Sequence, residues 1–385
     1  MNSAPSARLG FLSRSEIRIM TTLCDELGGI NLSQGICDMP LPPGLADRAK
    51  AAIDGGRNHY TAHDGIAKLR DAIARKLLSY NNVTASPATE IVVSAGATGA
   101  FYSACMALLD PGDEVILFEP YYGYHEYTLL ALGITPLYAA LLPGLWNFDA
   151  DHVEALISPR TRGILINTPA NPSGKVFTRA ELLQLTDICN RRDLLLFTDE
   201  IYEYIVYDGR EHVSPASLKP LRDRTVTVSG FSKTFSITGW RVGYCACRAE
   251  LARPIGFASD LVYVCAPSPL QAAVAGELLQ LDSGYYQHLR DQYQKKRDLV
   301  CGALRQANLT PHVPEGAYYV LADTSAVPGS TAKEKSMHIL HKTGVAVVPG
   351  SAFYREGGES LVRLCFAKED RVLEEACERL QKLRE

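Results

Sequence analysis

The chain has 385 residues, of which 46% are hydrophobic and 21% are charged, and its formal net charge is -4 at pH 7. This length exceeds the roughly 100 to 200 residues of one domain, so we expect two domains or one large domain with an added part. The weakly acidic balance, without any block of lysine or arginine, argues against a nucleic-acid partner. No segment resembles a signal peptide or approaches the ~18 consecutive apolar residues of a membrane span, which predicts a cytoplasmic protein without a membrane partner.

In chain order, the first strong pattern is an amphipathic helix in "GIAKLRDAIARKLLSY", whose apolar residues recur at helical spacing: Ile66, Leu69, Ile73 and Leu77. The N-terminal segment before it has turn residues in "SQGICDMPLPPG" but no strong periodicity. Beyond the helix, short runs rich in Val, Ile and Leu alternate with helical patterns, which predicts buried parallel strands in an α/β sheet covered by helices. The predicted strands are residues 91–93, 114–118, 163–166, 194–197, 225–228 and 241–245.

The pattern changes near residue 283. The segment "YYQHLRDQYQKKRDLVCGALRQA" predicts a long amphipathic helix, "EGAYYVLAD" and "GVAVVPG" predict strands, and "EDRVLEEACERLQKLRE" predicts a terminal helix. We therefore expect a large α/β domain over residues 43–282 and a smaller α+β domain formed by residues 1–42 and 283–385.

Ten cysteines are scattered along the chain without the C-x-x-C pairs or histidine partners of a zinc site, so we expect free thiols and no metal. Cys245 and Cys247 form the one close pair. Because alternate residues of a strand face the same side, we expect both to pack in the core.

Polar or aromatic loops follow five of the predicted strands: "AGATGA", "EPYYGY", "NTPANPSG", "TDEIY" and "SGFSK". Parallel strands end at the same edge of an open sheet, where ligands bind, so we expect these loops to line one crevice. Each loop also has a structural interpretation. "AGATGA" could bind a phosphate at a helix N-terminus or be a plain turn, "NPSG" could be only a turn, and Tyr121, Tyr122 and Tyr124 could be core residues.

Two charged residues are harder to explain by structure alone. Asp199 ends a very apolar strand, where a carboxylate is costly unless it is paired. Lys233 stands among small and hydroxylated residues shortly before Arg241, and an unprotonated lysine forms a Schiff base with carbonyl compounds. A phosphate on the same ligand would use Arg241 and the "AGATGA" helix end, and its ring would need an aromatic cover and a carboxylate at a ring nitrogen. Together these demands describe pyridoxal phosphate.

The motifs "NTPANPSGKVF", "TDEIY" and "SKTFSITGWRVGY", in this order, resemble those of class I/II aminotransferases of fold type I, the aspartate aminotransferase superfamily. The resemblance runs from "INLSQGICDMP" to "VRLCFAK", nearly the whole chain. It implies a large pyridoxal-phosphate-binding domain with a mainly parallel sheet between helices, a smaller α+β domain, and a homodimer with shared active sites.

The resemblance also implies roles at the cofactor ring. Lys233 would hold pyridoxal phosphate as a Schiff base and then transfer the substrate proton. Asp199 would pair with the protonated ring nitrogen. Asn171 and Tyr202 would hydrogen-bond the phenolic oxygen of the ring, and Tyr122 would stack on the ring face.

For the phosphate, the resemblance implies Arg241 and the backbone of Ala97 and Thr98. Tyr60, in "NHYTAHDG", matches a tyrosine that reaches the phosphate of the neighbouring subunit.

Two positions depart from the family pattern. Many relatives have a serine three residues before the lysine, where this chain has Gly230, and either Ser229 or Ser232 could substitute, with Ser232 as our candidate. Many relatives also have an aromatic residue where Met39 follows Asp38, so the pocket for the substrate side chain differs.

Arg363, in "VRLCFAK", matches the arginine that binds the substrate α-carboxylate, with the backbone of Gly35 close by and Asn171 beside it. The favoured function is amino transfer from an aromatic or other neutral L-amino acid to a 2-oxo acid with ping-pong kinetics. No arginine stands out for a distal carboxylate, yet aspartate aminotransferase remains an alternative. A C–S β-lyase or a cyclopropane-forming synthase would use the same motifs.

Other classes fit less well. In a dinucleotide-binding dehydrogenase a third glycine would follow Gly96 and Gly99, but Tyr102 occupies that position. Ser232 is not in the G-x-S-x-G setting of a hydrolase. A transcription regulator with an aminotransferase-like part would need an extra DNA-binding domain, and only about 40 residues precede the matching region.

Overall fold

The structure is a computed structural model that describes Gly10, residues 15–142, Gly144 and residues 146–384. The helices are α1 Glu16–Glu26, α2 Leu45–Asp54, α3 Ala67–Asn81, α4 Gly96–Leu108, α5 Gly123–Ala131, α6 Ala150–Ala155, α7 Arg179–Arg192, α8 Ala249–Tyr263, α9 Ser268–Leu278, α10 Ser283–Gln306, α11 Ala332–Thr343 and α12 Asp370–Leu380. The strands are β1 Ile30–Asn31, β2 Ile91–Ser94, β3 Glu114–Glu119, β4 Thr135–Ala140, β5 Thr161–Asn167, β6 Leu195–Asp199, β7 Thr225–Gly230, β8 Gly243–Ala246, β9 Thr310–His312, β10 Tyr319–Asp323, β11 Val345–Ala346, β12 Val348–Pro349 and β13 Leu361–Cys365.

A seven-stranded sheet occupies the middle of the chain in the order β2-β8-β7-β6-β5-β3-β4. Strands β3 to β7 pair in parallel, which confirms the predicted mainly parallel sheet. The prediction was wrong for β8, which runs antiparallel to both β2 and β7. Only residues 231–242 connect β7 to β8, and they contain no helix, whereas a parallel neighbour needs a crossover that is usually helical.

Strand β4 at the edge of this sheet was not predicted. Its residues alternate irregularly between exposed and buried, and Pro136 lies within it. Edge strands tolerate proline because one side of the ladder is unpaired. The central strands are buried along nearly their whole length, so only those gave the continuous apolar runs that the sequence analysis recognised.

Helices cover both faces of the sheet. Val115 and Leu117 of β3 pack in one apolar cluster with residues of α4 and α8, while Ile116 and Phe118 pack in another with residues of α7. Alternate residues of a strand face opposite sides, so this division follows directly from the strand geometry. The predicted apolar face of α3 lies in a third cluster, together with residues of β2 and α9.

The C-terminal part of the chain contains a four-stranded antiparallel sheet in the order β12-β13-β10-β9. It packs against α10 and α12 in the largest apolar cluster. Strand β1 pairs in parallel with β11, which brings the N-terminal segment to this part of the chain. The predicted strand in "GVAVVPG" is two short strands with different partners. The domain boundaries near residues 43 and 283 remain a prediction.

The N-terminal helix α1 was not predicted, because it buries only Met20 and Cys24, one narrow stripe of its surface. None of the helices in the described ranges is long and apolar enough to cross a bilayer. All ten cysteines are free thiols, as the sequence predicted, and nine of them are buried. Cys245 and Cys247 pack in the same apolar cluster.

Candidate active site

A pocket of about 550 Å³ lies at the carboxyl ends of strands β5, β6 and β7. Eleven of the twelve residues that the sequence predicted for cofactor or substrate line it: Gly35, Ala97, Thr98, Tyr122, Asn171, Asp199, Tyr202, Ser232, Lys233, Arg241 and Arg363. The twelfth, Tyr60, is 83% exposed and lies outside this pocket of the single chain. The expected convergence of loops at one sheet edge is therefore observed, and the part assigned to Tyr60 remains a prediction.

Lys233 lies in the loop that follows β7 and is half-buried. Its Nζ donates a hydrogen bond to the carbonyl oxygen of Gly35 at 3.3 Å. The same nitrogen lies 5.6 Å from the ring centroid of Tyr318 and 5.9 Å from that of Tyr202. Aromatic faces and one carbonyl thus hold the amine at the pocket, although no carboxylate pairs with it among the described residues.

Asp199 ends β6, and its carboxylate is held at both oxygens. Oδ1 accepts a hydrogen bond from the backbone N–H of Ile201 at 3.1 Å, and Oδ2 lies 3.0 Å from Nε2 of His125. The backbone oxygen of Asp199 accepts from the side chain of Asn167 at 2.9 Å. Because Asn167 and Asp199 are paired residues at the ends of neighbouring strands, the sheet itself sets this position.

His125 was missed by the sequence analysis. It lies in the first turn of α5, three residues after Tyr122, and its ring makes edge contacts with Tyr122 at 5.3 Å and with Phe101 at 4.9 Å. Residues three apart on a helix share a face. The available signal was therefore the spacing from the predicted ring-stacking tyrosine, in a loop already assigned to the pocket edge.

The segment that carries Asp199 and Tyr202 also contains two buried acidic residues that do not line the pocket, and their contacts hold the segment in place. Glu200 lies 2.8 Å from Nε2 of His212, and its carboxylate also accepts a hydrogen bond from Ser214 at 3.0 Å. Glu203 forms an ion pair with Lys76 and accepts from Asn81 at 2.8 Å. Glu200 and Glu203 each follow a residue that lines the pocket but do not line it themselves, so they anchor the segment without entering the site.

Three tyrosines shape the middle of the pocket. The hydroxyl of Tyr202 donates to that of Tyr319 at 3.3 Å, and complete burial raises the pKa of Tyr202 well above its usual value. Tyr319, on β10, was not predicted. Tyr122 stacks on Tyr124 with ring centroids 5.3 Å apart, and burial raises its pKa too. The phenols of Tyr202 and Tyr122 therefore stay protonated at neutral pH, and they can act as hydrogen-bond donors.

Arg363, on β13, is 1% exposed, although none of the described residues forms a salt bridge with it. Its Nη1 donates to the side-chain oxygen of Asn171 at 3.0 Å and its Nη2 to the carbonyl of Ser33 at 2.6 Å. The guanidinium lies 4.3 Å and 4.8 Å from the ring centroids of Tyr319 and Phe353. Nε is buried without a partner among the described residues. A buried cation in this state is suited to an anionic ligand.

The opposite end of the pocket is formed by Arg241 and the start of α4. A Cβ atom added to Gly96 would lie 2.5 Å from Nη2 of Arg241, and Gly96 also has a positive φ of +75°. Only glycine fits there without displacing the guanidinium. Ala97 and Thr98 follow in the first turn, where helix N–H groups are free to bind an anion.

The structure distinguishes between the two serines left open by the sequence. The hydroxyl of Ser229 is directed away from the pocket and bonds Glu203 at 3.0 Å and the carbonyl of Glu200 at 3.3 Å. Ser232 lines the pocket, whereas Ser229 does not. Ser232 is therefore the serine that a ligand can reach.

This set of residues fits pyridoxal phosphate. Asp199 offers a fixed carboxylate. Gly96 leaves space beside Arg241 that a side chain would fill, and an anion can bind there. Lys233 offers an amine in the same pocket. Arg363 lies on β13, and its buried Nε has no partner among the described residues. It can therefore bind one further anion in the pocket.

Comparison with known proteins agrees with this geometry. Residues 28–380 match the family model described as "Aminotransferase class I and II". The chain is 35% identical over 380 residues to methionine aminotransferase of Escherichia coli, covering 98% of each chain. It is 33% identical to kynurenine–oxoglutarate transaminase 3 of Rattus norvegicus, covering 92% of this chain and 85% of the relative. The solved structure of N-succinyldiaminopimelate aminotransferase from Mycobacterium tuberculosis superposes with a TM-score of 0.95 at 33% identity, covering 99% of this chain and 100% of the other.

Proposed function

Because the chain belongs to the family of class I and II aminotransferases, which act with pyridoxal phosphate, we propose that Lys233 is its attachment and proton-transfer residue and that a neutral or aromatic L-amino acid is its donor. The enzyme transfers an amino group between an L-amino acid and a 2-oxo acid. The observation that carries the assignment of Lys233 is that its amine lies in the same pocket as the carboxylate of Asp199 and the buried cation of Arg363.

Four residues hold the cofactor ring in this proposal, and a fifth, His125, orients one of them. Pyridoxal phosphate supplies an electron sink for the bond that breaks at the substrate Cα. Asp199, oriented by His125, faces the ring nitrogen and keeps a proton there. Tyr202 and Asn171 donate hydrogen bonds to the phenolic oxygen, and Tyr122 covers one face of the ring.

The phosphate is held at the other end of the pocket. Arg241 contributes a guanidinium fork, Ala97 and Thr98 contribute backbone N–H groups at the start of α4, and Ser232 contributes a hydroxyl. The close approach of Gly96 to Arg241 supports this assignment, since it leaves the guanidinium beside the helix N-terminus.

Arg363 binds the substrate α-carboxylate, with the backbone of Gly35 alongside. Arg363 donates to the carbonyl of Ser33, and Lys233 donates to the carbonyl of Gly35, so both cations contact one short segment. A substrate held by Arg363 therefore presents its Cα–H bond near the amine of Lys233. Lys233 takes this proton and later returns it, as a general base and then a general acid.

The preference for a neutral donor is supported by apolar residues at the wall of the pocket. Ile17 and Ile36 of the N-terminal segment line it, together with Tyr124 of α5. Aspartate is the competing donor. A C–S β-lyase is the competing chemistry, and release of pyruvate and ammonia from a cysteine conjugate without any 2-oxo acid would favour it.

We also propose a cytoplasmic homodimer whose subunits share their active sites. Tyr60 is 83% exposed, and the exposed apolar residues Phe257, Leu261 and Val264 lie on or just after α8. The rings of His63 and Phe257 are 5.8 Å apart, so the Tyr60 loop and α8 form one surface. A contiguous apolar surface is typical of an interface, and ten free thiols fit a reducing compartment.

Three measurements test the proposed function. Borohydride reduction of the holoenzyme followed by peptide mass mapping is expected to find the cofactor on Lys233, and a label elsewhere would refute the assignment. Incubation with single amino acids is expected to change the absorbance of the bound cofactor most with neutral or aromatic donors. Two-substrate kinetics are expected to be ping-pong, and a ternary complex would contradict the mechanism.

Mixing Tyr60→Ala chains with Lys233→Ala chains tests the shared site. If Tyr60 serves the neighbouring subunit, a mixed dimer contains one site that bears both substitutions and one that bears neither, so activity is regained on mixing. Failure to regain activity, with mixed dimers present by native mass spectrometry, would place Tyr60 in the site of its own chain.

A further inference from the structure

Tyr319 lines the pocket, but none of the roles proposed above uses it. It begins β10 and is 3% exposed. Its hydroxyl lies 3.3 Å from the hydroxyl of Tyr202, and it has no other hydrogen-bond partner among the described residues. Leaving a buried hydroxyl without a partner costs about 1–3 kcal/mol. The contact with Tyr202 is therefore the one that fixes the direction of the Tyr319 hydroxyl.

The number of protons limits how these two hydroxyls can bond. A tyrosine hydroxyl donates one hydrogen bond and can also accept. In this structure Tyr202 donates its single proton to Tyr319. In the proposed function Tyr202 donates that proton to the phenolic oxygen of the cofactor, so it keeps its bond to Tyr319 only as the acceptor. Tyr319 then becomes the donor, and the two hydroxyls form a chain that ends at the cofactor.

The Tyr319 hydroxyl is restricted on a second side by Gly35. A Cβ atom added to Gly35 would lie 1.9 Å from this hydroxyl oxygen and 2.9 Å from the ring carbon that bears it. The hydroxyl therefore lies directly against the backbone of Gly35 and has no room to move toward it. The carbonyl of the same glycine accepts the hydrogen bond from Lys233. Tyr319 and the proposed attachment residue thus contact one short segment of backbone.

The ring of Tyr319 contacts the cation that is assigned to the substrate. In the register of β10 and β13, Leu321 pairs with Arg363, and Tyr319 pairs with Cys365, two positions away. Tyr319 and Arg363 are therefore diagonal neighbours on one face of the sheet. The guanidinium lies 4.3 Å from the ring centroid of Tyr319, and a cation over an aromatic face is stabilised by about 0.5–2 kcal/mol. The ring and the hydroxyl of Tyr319 thus have different partners.

We propose that Tyr319 is a positioning residue with two separable parts. Its hydroxyl donates to Tyr202 and so directs the proton of Tyr202 to the phenolic oxygen of the cofactor. Its ring holds the guanidinium of Arg363 in place for the substrate α-carboxylate. Tyr319 acts on the cofactor through Tyr202 and on the substrate through Arg363. This inference rests on the proposed function, because it needs the cofactor and the two roles assigned there.

The hydroxyl is tested by titrating the absorbance of the bound cofactor with pH in the holoenzyme. A hydrogen bond from Tyr202 reduces the negative charge on the phenolic oxygen, which then attracts less strongly the proton on the nitrogen that joins Lys233 to the cofactor. We expect Tyr319→Phe, which keeps the ring, to raise the titration midpoint by about 0.5 to 1 pH unit, the size of one neutral hydrogen bond. Tyr202→Phe is expected to raise the midpoint further, and Tyr319→Phe should add nothing in that background.

Tyr293→Phe is the matched control. It also removes a buried tyrosine hydroxyl, but that hydroxyl has no hydrogen-bond partner among the described residues, and Tyr293 does not line the pocket. We expect the midpoint of the wild type. The inference is overturned if Tyr319→Phe leaves the midpoint unchanged, if Tyr293→Phe shifts it equally, or if Tyr319→Phe shifts it as much in the Tyr202→Phe background as in the wild type.

The ring is tested by steady-state kinetics with the amino acid. Tyr319→Phe keeps an aromatic face beside Arg363, so KM should stay within about twofold of the wild type, whereas Tyr319→Leu should raise KM about fivefold or more. Equal KM values in these two variants would refute the part assigned to the ring. Borohydride labelling separates this inference from the proposed function. A wild type without cofactor on Lys233 refutes the proposed function, whereas a labelled wild type whose midpoint Tyr319→Phe does not shift refutes only the inference.

Discussion

The Nε2 atom of His125 lies 3.0 Å from Oδ2 of Asp199, and both side chains are buried at the end of the sheet. We expect His125→Leu to lower kcat roughly 10- to 100-fold, the range seen when a residue that orients an essential ligand is removed, with a smaller change in KM. His125→Gln keeps an N–H donor near the same place and should recover much of kcat. The measurement is steady-state kinetics together with the absorbance of the bound cofactor, and equal losses in both variants would argue against an orienting hydrogen bond.

Gly35 has no room for a side chain, because a Cβ atom there would lie 1.9 Å from the hydroxyl oxygen of Tyr319. We expect Gly35→Ala to displace Tyr319 and its contact with Tyr202, and to lower kcat/KM for the amino acid by about 10- to 100-fold. Tyr319→Phe in the same chain removes the colliding oxygen and should restore part of this loss. The double-mutant cycle measures the coupling, and strictly additive effects would contradict the proposed collision.

Arg363 donates to two different acceptors through its two terminal nitrogens and is stacked on aromatic rings. A lysine keeps the charge but not this fork. We expect Arg363→Lys to lower kcat/KM roughly 100-fold, or about 2.7 kcal/mol of transition-state binding, while cofactor binding stays unchanged. Single-turnover absorbance changes measure this loss, and a normal kcat/KM would remove Arg363 from its assigned role.

The buried pair of Lys76 and Glu203 is important for stability. In Lys76→Met, Glu203 stays buried without its cation, and we expect the free energy of unfolding to fall by about 3–5 kcal/mol. The control is Lys50→Met, which breaks an ion pair with Asp47 that is largely exposed and should cost at most about 0.5 kcal/mol. Urea denaturation of both variants measures the difference, and similar losses would show that burial of the pair is not decisive.

The same pair predicts a pH dependence of stability. Burial opposes ionisation of Glu203, but Lys76 and His212 outweigh it and hold the pKa of Glu203 below its usual value of 4.5. A depressed folded pKa means that the stabilisation is present above pH 4.5 and is lost as the pH falls through the folded value. We expect the wild type to lose more stability than Glu203→Gln between pH 6 and pH 3. Parallel stability curves for the two proteins would contradict this.

Much of the fold and the site was predictable because the relevant signals are local. The central strands are buried along nearly their whole length, so they appear in the sequence as continuous apolar runs, and the residues that line the pocket follow those strands closely. Asp199 and Asn171 are examples, since each comes at or shortly after the end of a predicted parallel strand. Local order along the chain was therefore enough to place them at one edge.

Other features depend on contacts between distant segments. The antiparallel direction of β8 is determined by the short loop after β7, and the edge strand β4 is only partly buried. His125 became a site residue only when its contact with Asp199 was seen. The choice between Ser229 and Ser232 required the hydrogen bonds of the Ser229 hydroxyl, and α1 has too narrow an apolar stripe to be recognised in the sequence.

The sequence by itself indicated the family, the cofactor and the positions of the strands whose ends build the pocket edge, because hydrophobic periodicity and short motifs are properties of neighbouring residues. The tertiary structure alone decided which side chains meet across long separations, such as Lys233 with Gly35 and Arg363 with Asn171. Those contacts depend on how layers pack, and packing is a three-dimensional property that no short stretch of sequence contains.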